Sequence, residues 1–184
     1  MAEYYLISQL PSLDGISENM PLPISVDDFL SLCTASLNSK KWQELKALSL
    51  TPSREHKKSS SALLTAWNEG ERNLRLALGV VRAEKMKKEF DKGEENIPTE
   101  FLNLASAAVE SKTPWDAEVF LNDYRLEFLE TLRPTDNFSD EFLFYYFIKL
   151  KLLSRIRQFS TELGKSAYKN IYSSILNGNR LEAI

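Results

Sequence analysis

The chain has 184 residues, of which 43% are hydrophobic and 27% charged, a balance typical of one globular domain and not of a disordered chain. Its net charge of −3 and lack of a basic tract argue against nucleic acid as a partner. The single cysteine, Cys33, and the absence of a signal-like N-terminus predict a cytoplasmic protein. The longest apolar run, residues 142–148, is far shorter than the roughly twenty residues of a membrane span, so any membrane association is expected to go through a partner.

The first two dozen residues are predicted to be irregular. Residues 4–7 are β-prone and could pair as a short strand or lie across the core. Proline and glycine then interrupt any regular element, at Pro11, Gly15, Pro21 and Pro23.

Two helices are predicted next. Ser25 is expected to cap the first, because Asp28 stands three residues later in a capping-box arrangement. Its apolar face consists of Val26, Phe29, Leu30, Cys33 and Leu37. A short second helix is expected at about residues 39–48, ended by Pro52.

The longest helix is predicted at about residues 54–91. Its apolar residues recur at steps of three, four or seven, which is one helical face: Leu63, Trp67, Leu74, Leu78 and Val81, with Gly70 and Ala77 on the same side. Gly93 is the predicted stop.

The second half opens with a helix from Pro98 to about Glu110. Thr113 and Pro114 then give a cap and a first helical residue for a helix running to about Leu132. Its inward side chains are predicted to be Ala117, Phe120, Leu121, Tyr124, Phe128 and Leu132.

Ser139 is predicted to cap the next helix. Residues 142–148 are apolar on all sides, so this half of the helix should be central and buried, although some of its aromatic rings could instead cover a partner. A last helix is expected at about residues 161–176.

These elements predict an all-α fold, an elongated bundle of about six to seven helices with a short irregular or β-like N-terminal segment. Residues 1–178 would form a single helical domain and residues 179–184 a mobile tail. Two lobes, 1–93 and 98–178, are an alternative division.

Few residues are suited to catalysis. The sole histidine, His56, lies among charged residues at a predicted helix start and is interpreted as solvated, and Cys33 lies on an apolar helix face. No metal-ligand spacing occurs. Gly164-Lys165-Ser166 matches the end of a phosphate-binding loop, but Phe159 stands where that loop needs its first glycine. No catalytic residue, cofactor or metal is therefore predicted.

The long helix carries the polar residues of most interest. Glu71 and Arg75 are four positions apart and can pair, either as a solvated surface pair or within a polar seam between helices or against a partner. The candidate interface or seam residues are Trp67, Glu69, Glu71, Arg72, Arg75, Arg82, Arg125, Lys149 and Arg155.

Several segments together resemble a family encoded beside bacterial V/A-type ATPase subunits and thought to stand in for the funnel-shaped subunit of the central stalk. In chain order they are residues 4–13, 67–78 with 81–85, 113–118 with Arg125, Phe128, Leu129 and Glu130, and 147–155. The resemblance covers most of the chain, although the classical funnel-shaped subunit is longer and has three related helical lobes. It implies a non-catalytic central-stalk component that binds the shaft and the membrane rotor ring, at the cytoplasmic face of the membrane.

Two other functions stay open. The chain could be an assembly factor or an unrelated helical adaptor, which would bind single subunits but be absent from the finished enzyme. An enzyme using Glu69, Glu71, Arg72 and Arg75 would need those side chains to meet in a water-excluded cleft.

Overall fold

The computed structural model describes residues 2–16, 20–52, 59, 61–91, 93, 95–158, 165 and 168–173. Within these residues the fold is all-α, as predicted. The helices are α1 (Ala2–Gln9), α2 (Val26–Ser36), α3 (Ser39–Lys46), α4 (Ala62–Lys85), α5 (Thr99–Val109), α6 (Pro114–Thr131) and α7 (Asp140–Gln158).

Parts of some predictions fall outside the described residues. Of the predicted last helix, residues 165 and 168–173 are helical. Its ends and the predicted tail lie outside the described residues, as do His56 and the phosphate-loop positions 159, 164 and 166.

The N-terminal segment corrects the sequence prediction, because the helix α1 stands where an irregular or β-like segment was expected. The helix buries Leu6 and Ile7 in the core and packs against α2, while Tyr4 and Tyr5 remain exposed. Burial on one helical face therefore overrides the β propensity of the tyrosines. Residues 10–16 and 20–25 contain no helix, in keeping with the predicted irregular stretch.

The predicted caps of α2 and α6 are confirmed. The Ser25 hydroxyl accepts from the Asp28 amide at 3.0 Å and donates to its carboxylate at 2.7 Å. Thr113 caps α6 through the Asp116 amide at 3.1 Å. These local hydrogen bonds satisfy amides that lack a partner inside the helix. Asn38, for which no capping role was predicted, caps α3 in the same way.

The end of α4 was predicted too late, since the helix stops at Lys85 and not near Asp91. Lys87 takes a left-handed φ of 54°, and the amides of Lys87 and Lys88 bond back to the carbonyls of Glu84 and Ala83. This is a Schellman motif with lysine in the place that glycine usually occupies. The start was predicted too early: residue 54 itself lies outside the described residues, but residues 59 and 61 are not helical, and α4 begins at Ala62 with Ser61 as its N-cap.

The early stop lets the chain fold back on α4. The Phe90 ring lies so close to Gly79 that a Cβ on Gly79 would be 2.4 Å from it. A helix continuing to residue 91 would carry Phe90 away from this contact.

The buried side chains form two hydrophobic clusters that both include α4. The first joins its N-terminal half, with Leu63 and Trp67, to α1, α2, α3, α7 and the end of α6. The second joins its C-terminal half, with Leu74 and Leu78, to α5 and the start of α6. The clusters thus divide partway along α4, and the predicted boundary at residues 93 to 98 does not separate them.

Helix α6 is rotated relative to the prediction. Phe120, expected to face inward, is 38% exposed, whereas Asn122 and Arg125 are buried beside Leu121 and Leu129. Hydrophobicity alone assigns polar residues to solvent, so this pattern could not be predicted from apolar spacing. In α7 the prediction is confirmed, since residues 143–150 are all buried.

Trp67 provides a stability test. Its side chain is 1% exposed, and no described residue accepts a hydrogen bond from its indole Nε1, so its contribution to stability comes from packing. We expect Trp67→Ala to lower the free energy of unfolding by about 3–5 kcal/mol, measured by urea denaturation. Glu69→Ala, at an exposed position of the same helix, should change it by less than about 0.5 kcal/mol. A near-neutral Trp67→Ala would show that Trp67 does not support the core.

Candidate functional site

A buried ion pair joins α4 to α6. Glu71 is 3% exposed and Arg125 5% exposed. The Arg125 guanidinium donates from Nε to Glu71 Oε2 at 2.9 Å and from Nη2 to Glu71 Oε1 at 3.2 Å. Two parallel hydrogen bonds of this kind fix both the distance and the orientation of the two helices.

Three more residues complete this network. Arg75 donates from Nε to Glu71 Oε1 at 2.8 Å, and its Nη2 lies 3.4 Å from Thr51 Oγ1. Asn122 accepts from Arg125 Nη1 at 3.2 Å. The predicted polar seam between helices is therefore present, because Glu71 meets one arginine from its own helix and one from α6.

Aromatic rings run beside the seam and connect the two clusters. Phe128 lies between Trp67 and Tyr124, with ring centroids 6.1 Å from each, and Tyr124 meets Phe101 at 6.4 Å. Gly70 makes room for this column, since a Cβ there would lie 2.4 Å from the Phe128 ring. Burial, together with the negative charges of Glu100 and Glu71, raises the pKa of Tyr124.

A second polar network surrounds Lys149. Its ammonium donates to Asp14 Oδ1 at 2.6 Å, Glu130 Oε1 at 2.7 Å and the Tyr145 hydroxyl at 3.2 Å. The Tyr145 hydroxyl also donates to Glu130 at 2.7 Å. This network ties α7 to the end of α6 and to the loop after α1.

The charges of this network shift one another's pKa values. Hydrogen bonding to Lys149 lowers the pKa of Asp14, although partial burial opposes the shift. Burial would raise the pKa of Glu130, but its bonds to Lys149 and Tyr145 outweigh this and lower it. Lys149 loses solvation, yet its three oxygen partners raise its pKa.

A third contact joins the starts of two helices. The Glu141 carboxylate accepts from the Ser61 hydroxyl at 2.9 Å and from the amides of Ala62 and Leu63 at 3.2 and 3.1 Å. A negative side chain at a helix N-terminus is favourable because the first amides are unpaired and the helix dipole is positive there.

The remaining candidate residues lie outside these networks. Arg155 pairs with Glu118 at 2.6 Å, and Arg72 with Glu95 at 3.4 Å. Glu69 and Arg82 are exposed. The four side chains needed by the enzyme interpretation therefore do not converge, since Glu69 faces solvent and Arg72 pairs with Glu95 instead of Glu71.

Sequence reasoning missed several members of these networks, namely Asp14, Asn122, Glu130, Glu141 and Tyr145. Asn122 stands three positions before Arg125, so a helical pair was visible in principle. Tyr145 likewise stands four positions before Lys149, whose ammonium donates to its hydroxyl. Asp14, Glu130 and Glu141 contact residues far along the chain or on another helix, and no local spacing reveals such contacts. The buried state of Cys33 was predicted correctly, and burial raises the pKa of its thiol to about 12.

The described residues contain no group of three or more histidine, cysteine, aspartate or glutamate side chains placed to hold a metal ion. In the same part of the chain, no helix is both long and apolar enough to cross a bilayer.

The fold and the polar networks around Glu71 and Lys149 together define an all-helical protein. Its most distinctive polar residues link its own helices. No protein-family model, curated protein or solved structure matches the chain. The family resemblance of its sequence segments therefore remains a prediction.

The Glu71–Arg125 pair can be tested by removing one partner. Glu71→Ala leaves the Arg125 guanidinium buried without its counter-charge, so we expect a loss of about 3–5 kcal/mol in the free energy of unfolding. Replacing both residues by leucine should cost less than the two single leucine substitutions combined. Glu118→Ala, which breaks a more exposed pair, should cost about 1 kcal/mol or less. Equal losses for Glu71→Ala and Glu118→Ala would contradict a special role for the buried pair.

The Lys149 network predicts a pH dependence. Asp14 and Glu130 have lowered pKa values in the folded state, so their contribution to stability is present above the unfolded pKa values and lost as pH falls through the folded ones. We expect Lys149→Met to destabilise the protein near pH 7 and the difference from wild type to shrink as the pH falls below about 4. Urea denaturation between pH 3 and 7 measures this difference. A difference independent of pH would mean that Lys149 acts through packing alone.

Proposed function

We propose that the chain is a non-catalytic, stiff helical component of a bacterial V/A-type rotary ATPase, placed in the central stalk between the soluble shaft and the membrane rotor ring. Its partners would be those two components. It would act in the cytoplasm, held at the membrane through the complex.

The observation that carries the proposal is how the segments of family resemblance meet in three dimensions. Residues 67–78 supply Glu71 and Arg75, and the segment around α6 supplies Arg125 and Phe128. Residues 147–155 supply part of the buried middle of α7 and Lys149, which binds Glu130. Segments that are far apart in sequence thus form one connected framework, which supports a common structural role for them.

A torque-transmitting part needs elements that resist bending against one another. Helix α4 has 24 residues, hence a length of about 36 Å, and both hydrophobic clusters pack on it. The bidentate Glu71–Arg125 pair cross-links it to α6 near the middle of its length. Such a framework suits a mechanical role.

An assembly factor or a general helical adaptor is the alternative, since a stiff framework suits these functions as well. A stalk component and an assembly factor differ in where the protein is found. A stalk component stays in the finished enzyme, whereas an assembly factor binds single subunits and then leaves.

Co-purification separates these functions. The chain would be tagged in its native cell, the membranes solubilised gently, and the co-purifying proteins identified with their stoichiometry. Shaft and ring subunits in stoichiometric amounts, together with ATPase activity, would support the stalk position. Single subunits without the ring would favour the assembly factor. The absence of every ATPase subunit would refute the stalk position and the assembly factor, and would leave the unrelated helical adaptor.

Charge reversal tests whether the exposed side of α4 takes part in binding the partner subunits. Arg82 is exposed near the end of this helix, so we expect Arg82→Glu to reduce co-purification with little effect on folding. Lys46→Glu is the matched control, because Lys46 is an exposed base in the last turn of α3. Equal yields of partners with both variants would assign Arg82 to ordinary surface. Arg75→Glu is unsuitable, because it would place a second carboxylate beside buried Glu71 and destabilise the fold.

A further inference from the structure

The outer side of α6 carries acids next to an exposed aromatic ring. Phe120, Asp123 and Glu127 follow one another at steps of three and four residues, so they share one side of the helix, and all three are exposed. The only base within α6, Arg125, is buried against Glu71 on the opposite side. Phe120, Asp123 and Glu127 together form the acidic stripe.

The charge of the acidic stripe is not neutralised by ion pairs. Asp123 and Glu127 form no ion pair with any residue that the structure describes. Two bases that lie beside α6, Arg133 and Arg155, pair with other acids. Because Asp123 and Glu127 are like charges one helical turn apart, they repel each other, and a base placed beside each would relieve this repulsion.

The last helix, which the structure describes at residues 165 and 168–173, has the opposite charge. Its exposed basic and aromatic side chains also follow at steps of one, three and four residues and form the basic face: Lys165, Tyr168, Lys169 and Tyr172. The two rings stack with centroids 6.1 Å apart, yet Tyr168 is 68% and Tyr172 53% exposed, so neither is packed away against its own chain. Neither lysine pairs with an acid among the described residues, and residues 163–181 contain no aspartate or glutamate.

The two surfaces match in spacing when one of them is read backwards. Along α6 the acidic stripe runs ring, acid, acid, at steps of three and four residues. Read from its end, the basic face runs Tyr172, Lys169, Lys165 at the same steps. Both helices rise about 1.5 Å per residue, so antiparallel packing brings Tyr172 against Phe120 and each lysine beside one carboxylate. One contact then buries exposed rings and neutralises two like-charged pairs.

We infer that the last helix of one copy docks antiparallel on the acidic stripe of a second copy, and that two copies exchange these helices reciprocally. In the structure Phe120, Tyr168 and Tyr172 all stay exposed, so the chain does not cover its own stripe. Each copy carries both surfaces, so a two-fold pair makes the contact twice and leaves neither surface open. The inference concerns the free chain and does not rest on the proposed stalk function.

Sedimentation velocity on the full chain measures the self-association. We expect a monomer–dimer equilibrium with a dissociation constant on the order of 10 µM, as suits a contact of small area. Raising the salt concentration from about 0.05 to about 0.5 M should increase this constant at least about fivefold, because salt screens exposed charges.

Charge reversal then assigns the two surfaces. The stripe variant, Asp123→Lys with Glu127→Lys, and the face variant, Lys165→Glu with Lys169→Glu, should each be monomeric, since like charges would meet at the contact. Mixed in equal amounts, the two variants should associate within about threefold of the wild-type affinity, because each supplies the surface that fits the other.

A matched control separates this local effect from a change in net charge. Glu69→Lys with Glu84→Lys alters the net charge by the same amount as the stripe variant, at two exposed positions of α4, and should leave the dimer unchanged. Unchanged unfolding midpoints would show that all the variants are folded.

Several results would overturn the inference. A wild-type chain that stays monomeric at every concentration would refute it, as would a dimer that persists in either reversed variant. A mixture of the two variants that remains monomeric would exclude docking on a second copy, and growth into larger oligomers would contradict the reciprocal exchange.

Discussion

Glu71 lies near the middle of α4 with almost no exposure to solvent, and Arg125 of α6 reaches it with two hydrogen bonds. A buried carboxylate is costly unless it is paired, so this contact restricts how α6 can lie against α4. Both hydrophobic clusters depend on that arrangement. The start of α6 joins the second cluster through Leu121, and its end joins the first through Leu129.

The aromatic column beside this pair depends on the same arrangement. Phe128 can lie over Gly70 only when α6 approaches α4 closely, and the ion pair holds the helices at that distance. A rotation of α6 that brought Phe120 inward would carry Arg125 out of reach of Glu71, because the two positions face different directions on the helix. The exposure of Phe120 is thus a consequence of pairing Arg125.

Local sequence signals predicted the capped helix starts well. Ser25 and Thr113 cap their helices through hydrogen bonds that span three residues, so neighbouring residues were sufficient evidence. The prediction of where α4 ends failed for the opposite reason. Lys87 adopts a left-handed conformation that its residue type disfavours, and the contact of Phe90 with Gly79 explains why the chain reverses there. The N-terminal helix was missed because burial of Leu6 and Ile7 against distant residues outweighed the local preference of two tyrosines.

The sequence by itself determined the all-helical class, the buried face of α4, the central place of α7 and the pairing of Glu71 with Arg75. These properties follow from residue spacings within one helix, and the period of the helix converts such spacings into faces. Only the tertiary structure decided that Glu71 is buried, that Arg125 is its second partner, and that Lys149 binds Asp14 and Glu130. Each of these depends on residues from separate elements, whose relative placement is set by packing of the whole chain and not by any local pattern.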